Sequence, residues 1–429
     1  MNRFAASRMQ KIEQSGIRRM LEKAMAMERA GREVIHMEIG RTDFDTPAVV
    51  KEAAKKALDE GWVHYTSSMG MLELRQAVAE KLRRENGIEA DPEKEILAVA
   101  GASHGMAITL MTVLEAGEEI IIPEPMYLFY LDWAVYLGAR TVPLPCFPED
   151  GFQISRERLE ACVTAKTKAI LLNSPHNPTG SGLELSSLKA VAEVAIERDL
   201  LVISDEIYEK IIYEPFRHSS IASFPGMKER TVTLNSFSKG HAMDGWRIGY
   251  LAAPADLVWE LEKGQQHTMI NPTTFSQIGA ITALKMGDAI IRPMVEEYTR
   301  RRKLIMDMAD GAGLSYFPPQ GAFYFWLRHG VTKVDGWALV DYLMDKHGVA
   351  ITPGEIFGPS GKGYLRVSYS NSMENLRKGM ARIIDTLSDF KKKISLAGGT
   401  ARRNRNQKNL TSPFPAPSRG RGRGRNSRS

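Results

Sequence analysis

The chain has 429 residues, 43% of them hydrophobic and 25% charged, enough to bury a large core in two domains or in one large and one small unit. Its formal net charge of +6 is uneven: residues 394–429 carry nine Lys or Arg and no acid, leaving 48 basic and 51 acidic residues before them, a body of −3. Two cysteines, Cys146 and Cys162, exclude a disulfide framework and a cysteine-built metal centre, and Met1–Gln14 lacks the apolar core of a secretory signal, so a cytoplasmic location is expected.

In chain order, the N-terminal segment 1–45 is expected to form a helix over Ile17–Arg29 and to pack on a small C-terminal domain. Residues 46–290 form the expected large domain. Within it, strand candidates Ile96–Ala100, Glu119–Ile122, Thr141–Leu144, Ala169–Asn173, Leu201–Ser204, Thr231–Asn235 and Ile248–Ala252 alternate with helical stretches such as Gly105–Leu114 and Leu185–Arg198. This alternation predicts an α/β fold, a mostly parallel central sheet with helices on both faces. The uncharged run Leu97–Leu114 holds Gly101, Ser103, His104 and Gly105 in its middle and reads as strand, loop and buried helix, with no membrane role. In residues 291–393, helices over Pro293–Asp310, Trp337–His347 and Glu374–Lys392 surround strands at Ala322–Leu327 and Tyr364–Ser368, a smaller α+β domain. The tail 394–429, with its tract Arg419–Arg425, has little to bury and is expected to be disordered. Such a tract suits RNA or another polyanion, and it suits equally a solubilising or incidental extension.

Ligands of open parallel sheets bind beyond the carboxyl ends of the strands. After Ile96–Ala100, the turn Gly101–Gly105 leads into a helix, where backbone N–H groups and the Ser103 hydroxyl suit a phosphate; alone it is equally a capped glycine turn. After Ala169–Asn173, two prolines bracket Asn177 and place its amide to donate to a phenolate oxygen, whereas His176 reads as a loop-packing residue. After Leu201–Ser204 comes Asp205, able to hold a pyridine nitrogen protonated, with Tyr208 three residues on. After Thr231–Asn235 comes Ser236-Phe237-Ser238-Lys239, a lysine beside two hydroxyls and Arg247, suited to a Schiff base with a phosphorylated aldehyde. Tyr127 offers a ring that stacks on a pyridine. Together these are the needs of pyridoxal 5′-phosphate.

The set resembles the class I/II aminotransferases, fold-type-I pyridoxal-phosphate enzymes of the aspartate aminotransferase superfamily, over about Ser15 to Phe390. The resemblance rests on Ile39-Gly40 with Asp43–Pro47, Tyr65-Thr66 with Gly70 and Leu74-Arg75, Ser174–Gly180, Asp205–Tyr208, Ser236–Lys239, Gly245–Gly249 and Leu365–Ser368. It implies that Lys239 forms the internal aldimine and then moves the proton, that Asp205 pairs with the pyridine nitrogen, and that Asn177 and Tyr208 hold the ring oxygen. It further implies phosphate contacts from Ala102, Ser103, Ser236, Arg247 and, in support, Ser238, with Tyr127 on the ring. Arg366 clamps the substrate α-carboxylate, helped by Asn177 and the backbone of Gly40, and Tyr65 reaches the phosphate of a second subunit in a homodimer.

The implied reaction moves an amino group from an L-α-amino acid to a 2-oxo acid by a ping-pong route. A β-C–S lyase or other α-carbon chemistry on the same fold is the alternative. The proline usual after Gly40 and its neighbour is Thr42 here, and the lysine common in aspartate-preferring prokaryotic relatives is Ser103. Ile17, Met69, Met269 and Ile270 are apolar candidates for the pocket wall, so aromatic or other apolar amino acids are expected ahead of aspartate, with His267 as the opposing feature.

Overall fold

The computed structural model describes residues 4–12, 14–331 and 334–408. The N-terminal helix α1 (Gly16–Arg29) buries Gly16, Met20 and Ala24, one face at a spacing of four. It leads to a short strand, β1 (Ile35–His36), and then to α2 (Ala48–Asp59) and α3 (Leu72–Lys81). From there strands and helices alternate: β2 (Ile96–Val99), α4 (Ala102–Val113), β3 (Glu119–Glu124), α5 (Leu128–Leu137), β4 (Arg140–Pro145), α6 (Arg156–Cys162), β5 (Thr167–Asn173), α7 (Leu185–Glu197) and β6 (Leu201–Asp205). The strands β7 (Thr231–Ser236) and β8 (Gly249–Ala252) complete the sheet, and α8 (Ala255–Thr268) and α9 (Thr274–Met286) follow.

The seven strands lie in the order β2-β8-β7-β6-β5-β3-β4. Only β8 is antiparallel to its neighbours, so the sheet is mostly parallel as expected, with one reversal. Alternate residues feed separate cores: Ala169 and Leu171 of β5 join one cluster, Ile170 and Leu172 the other. That period of two on a sheet covered on both faces is why these strands read as unbroken apolar runs. Each fully buried Leu or Ile contributes about 1.5–3 kcal/mol.

Helix α10 (Asp288–Gly311) begins five residues before the expected Pro293, which sits inside it. It spans the boundary placed at 290/291 and joins the sheet to the smaller α+β unit. That unit contains β9 (Tyr316–Phe317), β10 (Tyr324–Arg328), α11 (Gly336–His347), β11 (Val349–Ala350), β12 (Thr352–Pro353), β13 (Tyr364–Ser368) and α12 (Met373–Lys408). Its four-stranded sheet is antiparallel, in the order β12-β13-β10-β9. Strand β1 pairs in parallel with β11, seating the N-terminal segment on this unit. Disorder was expected from residue 394, whereas the backbone of α12 continues as helix to Lys408, through the poor formers Gly398 and Gly399 and on through Ala401, Arg402, Arg403 and Arg405, which are good ones. The Arg-Gly tract lies outside the described residues. No helix among the described residues is long and apolar enough to cross a membrane.

Candidate active site

Asp205 closes β6 and is buried. Across the ladder it faces Asn173 of β5, whose Nδ2 donates to the Asp205 carbonyl (3.1 Å) while its Oδ1 accepts from the Asn177 N–H (2.9 Å). The loop carrying Asn177 is thereby fastened to the end of the next strand. The Asp205 carboxylate accepts hydrogen bonds from Tyr130 Oη (2.7 Å) and the Ile207 N–H (3.2 Å). Burial pushes its pKa up to about 6, against the opposing effect of those two donors. A buried carboxylate supplied only with neutral donors favours a cationic partner.

Lys239 follows β7, and its Nζ donates to the Gly40 carbonyl at 2.5 Å. Desolvation, joined by Arg247 and Arg366 and opposed by Asp244 and Asp205, lowers its pKa to about 8. Such an amine exchanges its proton near neutral pH. Gly40 is required by space, because a Cβ there would collide with the hydroxyl of Tyr324. The same hydroxyl lies 2.7 Å from that of Tyr208.

Arg366, on β13, is fully buried. Its Nη1 donates to Asn177 Oδ1 (2.9 Å) and its Nη2 to the Glu38 carbonyl (2.5 Å), while Nε has no partner. The rings of Tyr324 and Phe357 both lie against the guanidinium, with centroids 4.5 and 4.9 Å from Cζ. Aromatic walls and fixed acceptors leave a planar donor fork ready for a carboxylate.

A second anion seat lies at the N-terminus of α4. Gly101 caps it at φ +79° without a side-chain cap hydrogen bond, and a Cβ there would meet Arg247 Nη2 at 2.7 Å. Glycine thus lets the Arg247 guanidinium approach the turn that presents Ala102 and the exposed Ser103. Arg247 is itself held at φ 52°, its Nη1 donating to the Asp244 carbonyl (2.8 Å). Ser236 Oγ lies 2.8 Å from Ser238 Oγ and 3.1 Å from the Ile248 carbonyl. Tyr127 opens α5, half-buried, its ring edge-on to Tyr130 at 5.6 Å.

Next to Asp205 lies a buried ionic cluster. Glu206 accepts from Ser204 (2.8 Å), His218 (3.0 Å) and Ser220 (2.5 Å), and Glu209 pairs with Lys81 and accepts from Asn86 (2.7 Å). Glu206, Glu209 and His218 have the spacing of metal ligands. Lys81 already supplies a cation there, so the group reads as an internal ion cluster. His176 is buried and packs in its loop, Nδ1 at 2.7 Å from Thr179 Oγ1, and desolvation pushes its pKa down to about 4.

The structure brings Lys239, Gly40, Arg366, Asn177, Asp205, Tyr208 and Tyr127 to the ends of the strands, with Ser103, Ala102, Ser236, Ser238 and Arg247 beside them. It does not bring in Tyr65, which is 79% exposed. Ile17 packs half-buried against the cluster containing Phe357. Met269 and Ile270 stand exposed beyond the C-terminus of α8. Sequence reasoning missed Tyr130, Tyr324, Phe357 and the Glu38 carbonyl. Tyr130 was accessible, standing one helical turn from Tyr127; the Glu38 carbonyl carries no side-chain signature.

Comparisons with known proteins agree with one another. A family model described as aminotransferase class I and II matches residues 32–383. A Pyrococcus abyssi protein named aspartate aminotransferase is 41% identical over 388 residues, 90% of this chain and 99% of its own. Aromatic-amino-acid aminotransferase 2 of Thermococcus litoralis is 39% identical over 388 residues, again 90% and 99%. The structure of aspartate aminotransferase from Thermus thermophilus with maleate superposes with a TM-score of 0.85 at 34% identity, covering 90% of this chain and 100% of that one.

Proposed function

The chain belongs to the class I and II aminotransferase family, and from that premise we propose that it binds pyridoxal 5′-phosphate and moves the amino group of an apolar or aromatic L-α-amino acid to a 2-oxo acid. The observation that carries the reading is the meeting of a depressed lysine amine, a buried carboxylate and a buried, forked arginine at the strand ends. The residues fit the cofactor. Gly101 lets the Arg247 guanidinium close on the α4 turn and Gly40 lets the Tyr324 hydroxyl approach the segment that holds Lys239, Asp205 is paired only with neutral donors, and the α4 turn with Arg247 forms an anion seat. Ala102, Ser103, Ser236, Ser238 and Arg247 would hold its phosphate, Asn177 and Tyr208 its ring oxygen, Asp205 its ring nitrogen, Tyr127 its face, and Lys239 its aldehyde. When bound, the cofactor supplies an aldehyde that carries the amino group and a ring that takes up the electron pair left at the substrate Cα.

The chain's own residues do the rest. Arg366 grips the α-carboxylate while Asn177 and the Glu38 carbonyl fix the orientation of the guanidinium. That grip sets the Cα–H toward Lys239, whose Nζ accepts the proton and redelivers it, a contribution of about 10²–10⁴-fold. Asp205, unable to reach water, keeps its partner nitrogen protonated. Phe357 and Tyr324 exclude water around the carboxylate seat. An apolar side-chain preference is supported by those rings and by Ile17 on the same cluster. A second reading, an acidic side chain, has one observation in its favour: α1 carries the cation Arg18 next to Ile17.

The deciding experiment offers the cofactor-loaded protein phenylalanine, tyrosine, methionine, alanine and aspartate, each with 2-oxoglutarate or pyruvate. Phenylalanine and tyrosine are expected to exceed aspartate in kcat/KM by about tenfold or more. Aspartate ahead of both, and loss of that lead in Arg18→Ala, establishes the second reading. If none of a broad panel of amino acids yields its 2-oxo acid, the assignment falls. Pyruvate and ammonia from cystathionine without an oxo-acid acceptor would mark a β-C–S lyase instead.

A further inference from the structure

We propose that His36, acting through the buried carboxylate of Glu38, positions the Arg366 clamp and couples carboxylate binding to helix α1. The inference rests on the reading of Arg366 as the α-carboxylate clamp.

Residues 36, 38 and 40 lie at the end of β1 and on the segment after it, which bends at Glu38, and the carbonyl of each is engaged. The His36 carbonyl accepts from Asn371 Nδ2 (2.8 Å), that of Glu38 from Arg366 Nη2 (2.5 Å) and Thr352 Oγ1 (3.1 Å), and that of Gly40 from Lys239 Nζ (2.5 Å). Two of these carbonyls thus meet the two site cations. The placement of this stretch is therefore also the placement of Arg366 and Lys239.

The Glu38 side chain is fully buried, with Oε1 2.8 Å from His36 Nδ1 and Oε2 without a partner. A carboxyl group so placed is costly to bury without a cationic partner beside it. His36 is that cation. Its ring bridges Glu38 to Glu28 of α1, with Nε2 3.1 Å from Glu28 Oε1. The charged groups acting on the ring are these two carboxylates. The remaining polar neighbours, Asn371, Thr352, Arg366 and Lys239, meet the backbone carbonyls of the stretch; β11 pairs with it and Gly379 of α12 abuts Met37 and Ile35. The Glu38 hydrogen bond is the largest influence on His36 and raises its pKa to about 9, against desolvation. Below that pH the imidazolium holds Glu38, and above it the buried carboxylate loses its cation. The Glu38 backbone, still tied to Thr352 through its carbonyl, then shifts with its side chain, and with it the guanidinium it orients.

The test uses the cofactor-loaded protein and 3-phenylpropionate, with succinate as a second probe; both are carboxylates without a titrating amine. Wild-type affinity is expected to hold between pH 6.5 and 8 and to weaken about fivefold to tenfold as pH rises through about 9. In His36→Gln and Glu38→Gln the affinity is expected to be already weakened at pH 7, with that step gone. Linkage is reciprocal, so bound 3-phenylpropionate should raise the His36 pKa read by NMR of its ring, in wild-type protein that needs no variant to fold. A His36 pKa unmoved by 3-phenylpropionate, or an unchanged pH step in His36→Gln, overturns the inference. Undiminished binding by Arg366→Gln overturns the clamp itself. Lost binding in that variant together with a wild-type step in His36→Gln removes only the role of His36.

Discussion

A lysine that moves protons at neutral pH must first be made to surrender its own. At Lys239 desolvation does most of this, and the cations of Arg247 and Arg366 add to it. In cofactor-free protein the rate of reductive methylation of Lys239, followed by peptide mass spectrometry, should rise with a midpoint near pH 8. In Arg366→Gln the midpoint should move upward, because one of the cations opposing the charged amine is gone. A wild-type midpoint at the ordinary lysine value would remove the basis for its proton role. Asp205→Asn keeps a hydrogen-bond acceptor for Tyr130 and loses the charge, so a fall in kcat on the order of 10²-fold or more is expected with the fold intact by circular dichroism. Lys239, Asp205, Asn177 and Arg366 were legible because each stands in a short motif at the end of a strand or on one. Tyr324 was not, since nothing local says that its hydroxyl will meet Tyr208 or its ring Arg366.

At the scale of elements, the turn bearing Asp205 and Tyr208 is braced from behind by the ion cluster that ties α3 to the segment after β6. Lys81 stands at the end of α3 and neutralises Glu209, whose carboxyl burial would raise; Lys81 and then His218 outweigh this and hold it down at about 2. Removing one partner strands a buried charge, so Lys81→Met should cost about 3–5 kcal/mol in urea unfolding at pH 7. Because the folded pKa of Glu209 lies below its ordinary 4.5, this stabilisation is present above pH 4.5 and is lost as pH falls through about 2. A loss under 1 kcal/mol would show that the cluster is not under such constraint. The strands of this layer were read within a residue or two, since fully covered parallel strands are unbroken apolar runs. Helix starts were less legible: α10 begins at Asp288, and Pro293, its sixth residue, forgoes one intrahelical hydrogen bond without ending the helix.

For the whole molecule, the exposure of Tyr65 is the feature that looks beyond one chain. If it completes the phosphate seat of a second copy, Tyr65→Ala and Lys239→Ala each lower activity as homodimers. After subunit exchange, a mixed dimer holds one site with both residues intact, so mixing the two variants should restore about a quarter of wild-type turnover. No recovery on mixing, under conditions where labelled subunits exchange, would mean that Tyr65 serves no neighbouring site. Removal of residues 409–429 is expected to leave transamination unchanged and to abolish any salt-sensitive RNA retention, with a loss of turnover pointing to a part for the tail in the enzyme.

What the sequence by itself determined was the order of strands and helices, the residues at the strand ends and the chemistry they suit. Those properties are local: side-chain periodicity selects strand or helix, and a few consecutive residues carry each strand-end motif. Only the tertiary structure decided that β8 runs against its neighbours, that Arg366 meets Asn177 across 189 residues, and that the Glu38 carbonyl lies 328 residues from the guanidinium it orients. Those meetings depend on the path of the chain, and the groups that meet include main-chain carbonyls, which every residue has and none advertises.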